Sequence, residues 1–117
     1  MLSPGFRSLM WYLLCGTRGG PNRLRILELL EASPANAHQI ASSLDLDYRT
    51  VRHHLRLLER NGAVARPVGE AYASPYELSP YLAEHLLELR EILKPHGHPS
   101  AVSQRRARPL AVARGAP

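Results

Sequence analysis

Asp47-Tyr48-Arg49-Thr50-Val51-Arg52-His53-His54-Leu55-Arg56-Leu57-Leu58-Glu59-Arg60-Asn61-Gly62 is the stretch whose reading decides the fold. Aspartate before a periodic run is a good N-cap, and Asn-Gly after it is a good C-terminal stop. At about 100° per residue, Val51, Leu55 and Leu58 cluster on one side of the helix. Arg49, Arg52, His53, Arg56 and Arg60 fall on the other, within an arc of about 100°. Glu59 stands at the edge of that arc. A solvated helix face normally mixes signs to gain i,i+4 pairs; this one is almost purely cationic. A helix about 12 Å across fits the major groove of B-DNA, where an arginine near its N-terminus donates two bonds to a guanine.

The pattern on either side is helical. Pro21 suits the first turn of a helix, in which Leu24, Ile26, Leu27, Leu29 and Leu30 form a wide apolar face opposite Arg25 and Glu28. Ser33-Pro34 ends it. Asn36 and Gln39 read as a capping-box variant opening a short second helix with Ala37, Ile40, Ala41 and Leu44. A tight turn at Asp45-Leu46 leads into the 47–60 helix, and aspartate tolerates the left-handed conformation such a turn needs. Downstream, 63–68 and 71–78 read as two strands of a short hairpin around Gly69-Glu70, with Pro67 and Pro75 confined to edges or bulges. Ser79-Pro80 opens a last helix running to about Lys94, stopped by Pro95. The fold expected is mainly α with a small β-hairpin, with an extra helix in front.

Three segments follow: an N-terminal segment, 1–20; a folded unit of helices and a hairpin, 21–94; and a tail, 95–117. Residues 1–8 are expected to fray. The apolar run 9–15 resembles a signal-peptide core after Arg7, but it is short, and Leu14 before Cys15 is not the small residue cleavage needs. A short helix packing on the domain or on a second subunit is the preferred reading. Gly16-Thr17-Arg18-Gly19-Gly20 lacks the ending of a nucleotide-binding loop and reads as a hinge. The tail is rich in Pro, Ala, Gly and Arg, and disorder is expected there.

With 117 residues the chain holds one domain and no deep catalytic cleft. A single cysteine excludes a disulfide framework, and no stretch is long and apolar enough for an ordinary transmembrane helix. The net charge is +5. Residues 1–94 carry 11 basic against 10 acidic groups, whereas the tail carries Arg105, Arg106, Arg108 and Arg114 and no acid. The case for nucleic acid in the folded part therefore rests on where its charges lie. Neither a nucleophile motif nor a carboxylate pair in a plausible pocket is present, so the chain is read as a non-enzyme without cofactor, in the cytoplasm.

Residues 21–80 resemble the winged helix-turn-helix transcription regulators, specifically the ArsR-type group and its archaeal relatives. The residues that carry the resemblance are Arg23-Leu24-Arg25-Ile26-Leu27, Gln39-Ile40-Ala41, Leu44, the run from Asp47 to Leu55, Leu58, Asn61-Gly62-Ala63-Val64 and Tyr76-Glu77-Leu78-Ser79. The resemblance implies a homodimer that places its recognition helices in successive major grooves of double-stranded DNA, with the hairpin as a wing beside the backbone. By position, Tyr48, Arg49, Thr50, Arg52 and His53 belong to the base-facing part, Arg56 and Arg60 lie further back, and Arg66 belongs to the wing.

Leu82, Leu86, Leu89 and Leu93 are spaced four, three and four, as in a heptad seam, while Leu87 falls off that stripe. With Trp11, Leu13 and Leu14 they are the candidates for the subunit interface; packing on the chain's own core is the competing reading. Metal-sensing members of the family use a cysteine pair where this chain has Leu44, Asp45, Leu46 and Asp47, which excludes that site. His85 and His96 have the spacing of a second family site, but Ala83 and Pro99 stand where acids are expected, so no metal is assigned. No small-molecule effector is identifiable and no membrane partner is expected. Two alternatives stay open: a winged-helix interaction subunit of a larger assembly, and a sequence-nonspecific nucleoid protein contacting DNA mainly through its tail.

Overall fold

A computed structural model describes residues 1–69 and 71–93. Glu70, the expected helix stop at Lys94-Pro95, His96, His98 and the arginine-rich tail lie outside the described residues.

Helix α1 spans Pro4–Cys15. Its start corrects the expectation that residues 1–8 fray. Ser3 caps it by accepting from the Phe6 N–H, and proline suits its first turn. Leu2 is buried, and its N–H donates to the Glu88 carboxylate at 3.1 and 3.2 Å. Met10, Leu13 and Leu14 face inward.

Helix α2 spans Gly20–Ala32 and buries Ile26, Leu27 and Leu30. The start of α2 lies hard against the end of α1. A methyl group at Gly20 would stand 2.3 Å from the Leu14 carbonyl oxygen, so no larger residue fits there. Arg23 and Glu28 are also buried, which corrects the placing of Glu28 on the open side.

Helices α3 (Ala37–Leu44) and α4 (Tyr48–Arg60) make the helix-turn-helix. The capping box is present: the Gln39 N–H donates to Asn36 Oδ1 at 2.9 Å, and the Asn36 N–H donates to Gln39 Oε1 at 2.8 Å. Asp45 ends α3 at φ 56° and ψ 50°, letting the Leu46 N–H reach the Ala41 carbonyl at 2.9 Å. Arg25 adds a hydrogen bond to the Leu44 carbonyl at 2.9 Å, satisfying another open acceptor at that end. Asp47 caps α4 by accepting from the Arg49 and Thr50 N–H groups. Gly62, at φ 81°, ends it, with the Ala63 N–H returning to the Leu58 carbonyl at 2.9 Å.

The hairpin is shorter than expected. β1 (Val64–Ala65) pairs antiparallel with β2 (Glu77–Leu78), Val64 opposite Leu78 and Ala65 opposite Glu77. The expected strands 63–68 and 71–78 shrink because Pro67 and Pro75 donate no ladder bond, and Val68 and Tyr72 find no core to cover them. Ala35 and Tyr76 exchange both backbone hydrogen bonds, at 3.2 and 2.8 Å, adding a third rung that the sequence did not announce.

The last helix is two. α5 (Pro80–Glu84) and α6 (Leu86–Leu93) break at His85. In a continuous helix the Tyr81 carbonyl would accept from the His85 N–H. Here His85 Nδ1 takes that carbonyl at 2.7 Å, and the N–H turns to Leu82.

The break corrects the expectation of one uninterrupted leucine seam. Leu82, Leu89 and Leu93 are buried in the chain's own core, together with Leu13 and Leu14, so these five leave no apolar surface in need of cover. Leu86 is half-buried. Trp11 is 38% exposed and Leu87 77%. The side chains closed off most completely are Met10, Ile26, Ile40, Val51, Leu55, Leu58 and Leu82. The architecture is mainly α with one small antiparallel hairpin after the helix-turn-helix, a winged helix-turn-helix.

Candidate nucleic-acid interface

The outer face of α4 follows from its amphipathic pattern. Val51, Leu55 and Leu58 are sealed in the core, which turns Arg49, His53, Arg56 and Arg60 outward, all exposed, along one stripe. Thr50 is exposed beside them. The side chains of Arg49, Arg56 and Arg60 make no hydrogen bond or ion pair among the described residues. Three full charges therefore stand unneutralised on one side of a single helix, an arrangement suited to a polyanion.

Two of the expected contact residues are held differently. Arg66 closes a two-pronged bond on Glu59, Nε to Oε2 at 3.2 Å and Nη2 to Oε1 at 3.0 Å, and lies over the Tyr76 ring at 5.0 Å. The fork joins the wing, where the resemblance places Arg66, to α4. It also neutralises Glu59, the one acid beside the stripe. Arg52 is half-buried and donates from Nη1 to the Tyr48 hydroxyl at 3.0 Å, which raises its pKa.

Tyr48 is itself braced. Its ring stacks on His38 of α3, with centroids 4.1 Å apart and planes 11° from parallel. His38 Nε2 is hydrogen-bonded to the Tyr72 hydroxyl of the wing. Tyr48, His38 and Tyr72 thus join α4, α3 and the wing at the start of the recognition helix. Nothing in their spacing shows that they meet, because the meeting depends on how the wing folds back.

On the opposite flank of α4 a buried polar chain fixes α1. Arg23 donates from Nε to the Leu13 carbonyl at 2.9 Å, from Nη2 to Thr17 Oγ1, and from Nη1 to His54 Nδ1 at 3.1 Å. His54 Nδ1 is therefore the acceptor, and the ring proton sits on Nε2. Burial, then the Arg23 charge, then His53 push the His54 pKa down to about 4. Burial also lowers the Arg23 pKa, with Tyr12 acting the other way. The Leu13 carbonyl belongs to the last turn of α1, whose partial negative charge favours a cation there. The role of Arg23 was missed, although its place three and four residues before Ile26 and Leu27 puts it on their face.

Among the described residues no three His, Cys, Asp or Glu groups converge to hold an ion. No helix among them is long and apolar enough to cross a membrane.

Residues 20–67 match the family model of a helix-turn-helix domain, covering α2, α3, α4 and β1. The match supports a DNA-binding unit of the regulatory type. It includes neither α1 nor the return strand and α5–α6. No curated protein matches the chain.

Proposed function

We propose that the chain is a dimeric, sequence-specific DNA-binding transcription regulator, similar to the ArsR-type group but lacking its cysteine metal box. The observation that carries this reading is the exposed stripe of Arg49, His53, Arg56 and Arg60 on the helix that a helix-turn-helix presents to the major groove. Arg49 lies near the N-terminus of α4, where base edges are reached; Arg56 and Arg60 lie further along, nearer the backbone. Arg52, tethered to Tyr48, points its guanidinium from a fixed base and is suited to a two-bonded guanine contact. Two copies related by a two-fold axis would give two half-sites. The surfaces open for that contact are on α1 and α6, which pack on each other and keep Trp11, Tyr12 and Leu87 exposed.

The same exposed residues favour a second reading, a winged-helix subunit that binds another protein. The cationic stripe has no purpose in that case. Selection of bound sequences from random DNA separates the two. A recovered consensus, lost with Arg49→Ala, supports the regulator. Binding without preference, unchanged by Arg49→Ala, Arg56→Ala and Arg60→Ala, overturns it.

A further inference from the structure

The loop between α1 and α2 lies against the recognition helix, and nothing in the function proposed above uses it. On a wheel of about 100° per residue, Glu59 and His54 mark two flanks of α4, about 140° apart, with the buried Val51, Leu55 and Leu58 between them. The wing is bonded to the Glu59 flank through Arg66. The loop is bonded to the His54 flank through Arg23, which also holds Thr17 and the Leu13 carbonyl. Gly19 makes this approach possible: a methyl group there would stand 2.8 Å from His54 Cε1 and 2.7 Å from Arg23 Nη1. Arg18 lies between the two pinned residues, Thr17 and Gly19. It is exposed and makes no hydrogen bond or ion pair among the described residues.

We infer that Arg18 is a second clamp on the DNA backbone, on the side of the recognition helix opposite the wing. This rests on the DNA-binding reading and adds a contact to it. A helix in the major groove has a sugar–phosphate strand on each side, and the groove is only about 12 Å wide. The wing attends one strand; the 16–19 loop is placed for the other. A loop already tied to its own helix loses little freedom on binding, so the contact is preorganised. As a backbone contact it fixes register and carries no sequence information.

The test uses the full chain with two probes, a mixed-sequence duplex of about 30 base pairs and a duplex recovered by selection. Arg18→Ala should weaken both by the same factor, about three- to tenfold near 100 mM salt, and reduce the slope of log affinity against log salt by about 0.9. Arg18→Lys should keep the slope, since a point charge serves a phosphate. The thermal midpoint should not move, because Arg18 holds nothing in the fold. An unchanged slope for Arg18→Ala, while Arg56→Ala and Arg60→Ala lower it, overturns the clamp and leaves the regulator standing. A loss confined to the selected duplex also overturns it, because it would mean that Arg18 reads bases. If none of the three substitutions alters binding, the DNA reading falls and the clamp with it.

Discussion

Replacing Arg23 by methionine removes the one side chain that joins the end of α1, the α1–α2 loop and the recognition helix. Methionine has similar length and keeps the apolar packing, so the change isolates the polar bonds. Three are lost: to the Leu13 carbonyl at 2.9 Å, to His54 Nδ1 at 3.1 Å and to Thr17 Oγ1. The threonine hydroxyl, half-buried, keeps its bond to the Leu13 carbonyl at 3.4 Å. His54 Nδ1 is left as a buried acceptor without a donor, costing about 1–3 kcal/mol, and the Leu13 carbonyl keeps only that long bond, costing about 1 kcal/mol. Relief from burying a guanidinium offsets part of this, and the expected destabilisation is about 2 kcal/mol. Urea unfolding at pH 7 measures it as a lower midpoint with an unchanged slope. His54→Leu alone should also destabilise, and the Arg23→Met/His54→Leu pair should lose less than the two changes added, because one stranded group is then absent. A loss below about 1 kcal/mol for Arg23→Met, or strict additivity in the pair, would refute the account of a coupled buried chain.

His54 also makes stability depend on pH. Its folded pKa, about 4, lies below the ordinary 6.5 of the unfolded chain, so unfolding takes up a proton between those values. The stabilisation is complete above pH 6.5 and is lost as pH falls towards 4, amounting to about 2 kcal/mol by pH 5; His54→Gln should flatten that part of the urea-midpoint profile. On the DNA side, Arg49→Ala should cost about 1–3 kcal/mol on a selected site and relax one base position, whereas Arg60→Ala should weaken all duplexes equally, as titrations at several salt concentrations would show. Glu59→Gln should free the Arg66 fork and loosen the wing, read as faster amide exchange at Ala65 and Glu77 with little change in global stability. Leu87→Ser should shift a dimer towards monomer in sedimentation while leaving the monomer folded, since that side chain is 77% exposed.

The parts of the fold governed by local rules were legible in the sequence. The Asn36–Gln39 box, the Asp47 and Ser79 caps, the left-handed Asp45 and the Gly62 stop each depend on residues within a few positions, and each lies where the pattern put it. The outward stripe of α4 was legible for the same reason, because a helix wheel assumes nothing about the rest of the molecule. What escaped depends on distant partners. Arg66 looks free until Glu59 is brought beside it by the return of the strand, and the leucine seam looks continuous until His85 takes the Tyr81 carbonyl. Sequence spacing likewise left Leu82, Leu89 and Leu93 open between a subunit interface and the chain's own core, and burial within one chain is what the pattern alone does not decide.

The separation between the two sides of α4 also bears on how such a protein can change over time. Every bond that holds the helix in place comes from its inner and lateral residues: Val51, His54, Leu55 and Leu58 inside, Glu59 and Tyr48 at the edges. The side chains of Arg49, Thr50 and Arg56 bond to no other described residue, and that of His53 meets the His54 ring at 5.5 Å between centroids. Drift at those four positions is therefore close to neutral for folding, and substitutions there alter what the surface meets without first passing through an unstable intermediate. A duplicated copy could acquire a new target by point changes on that stripe alone, and a library randomised at the same four positions should yield mostly folded members.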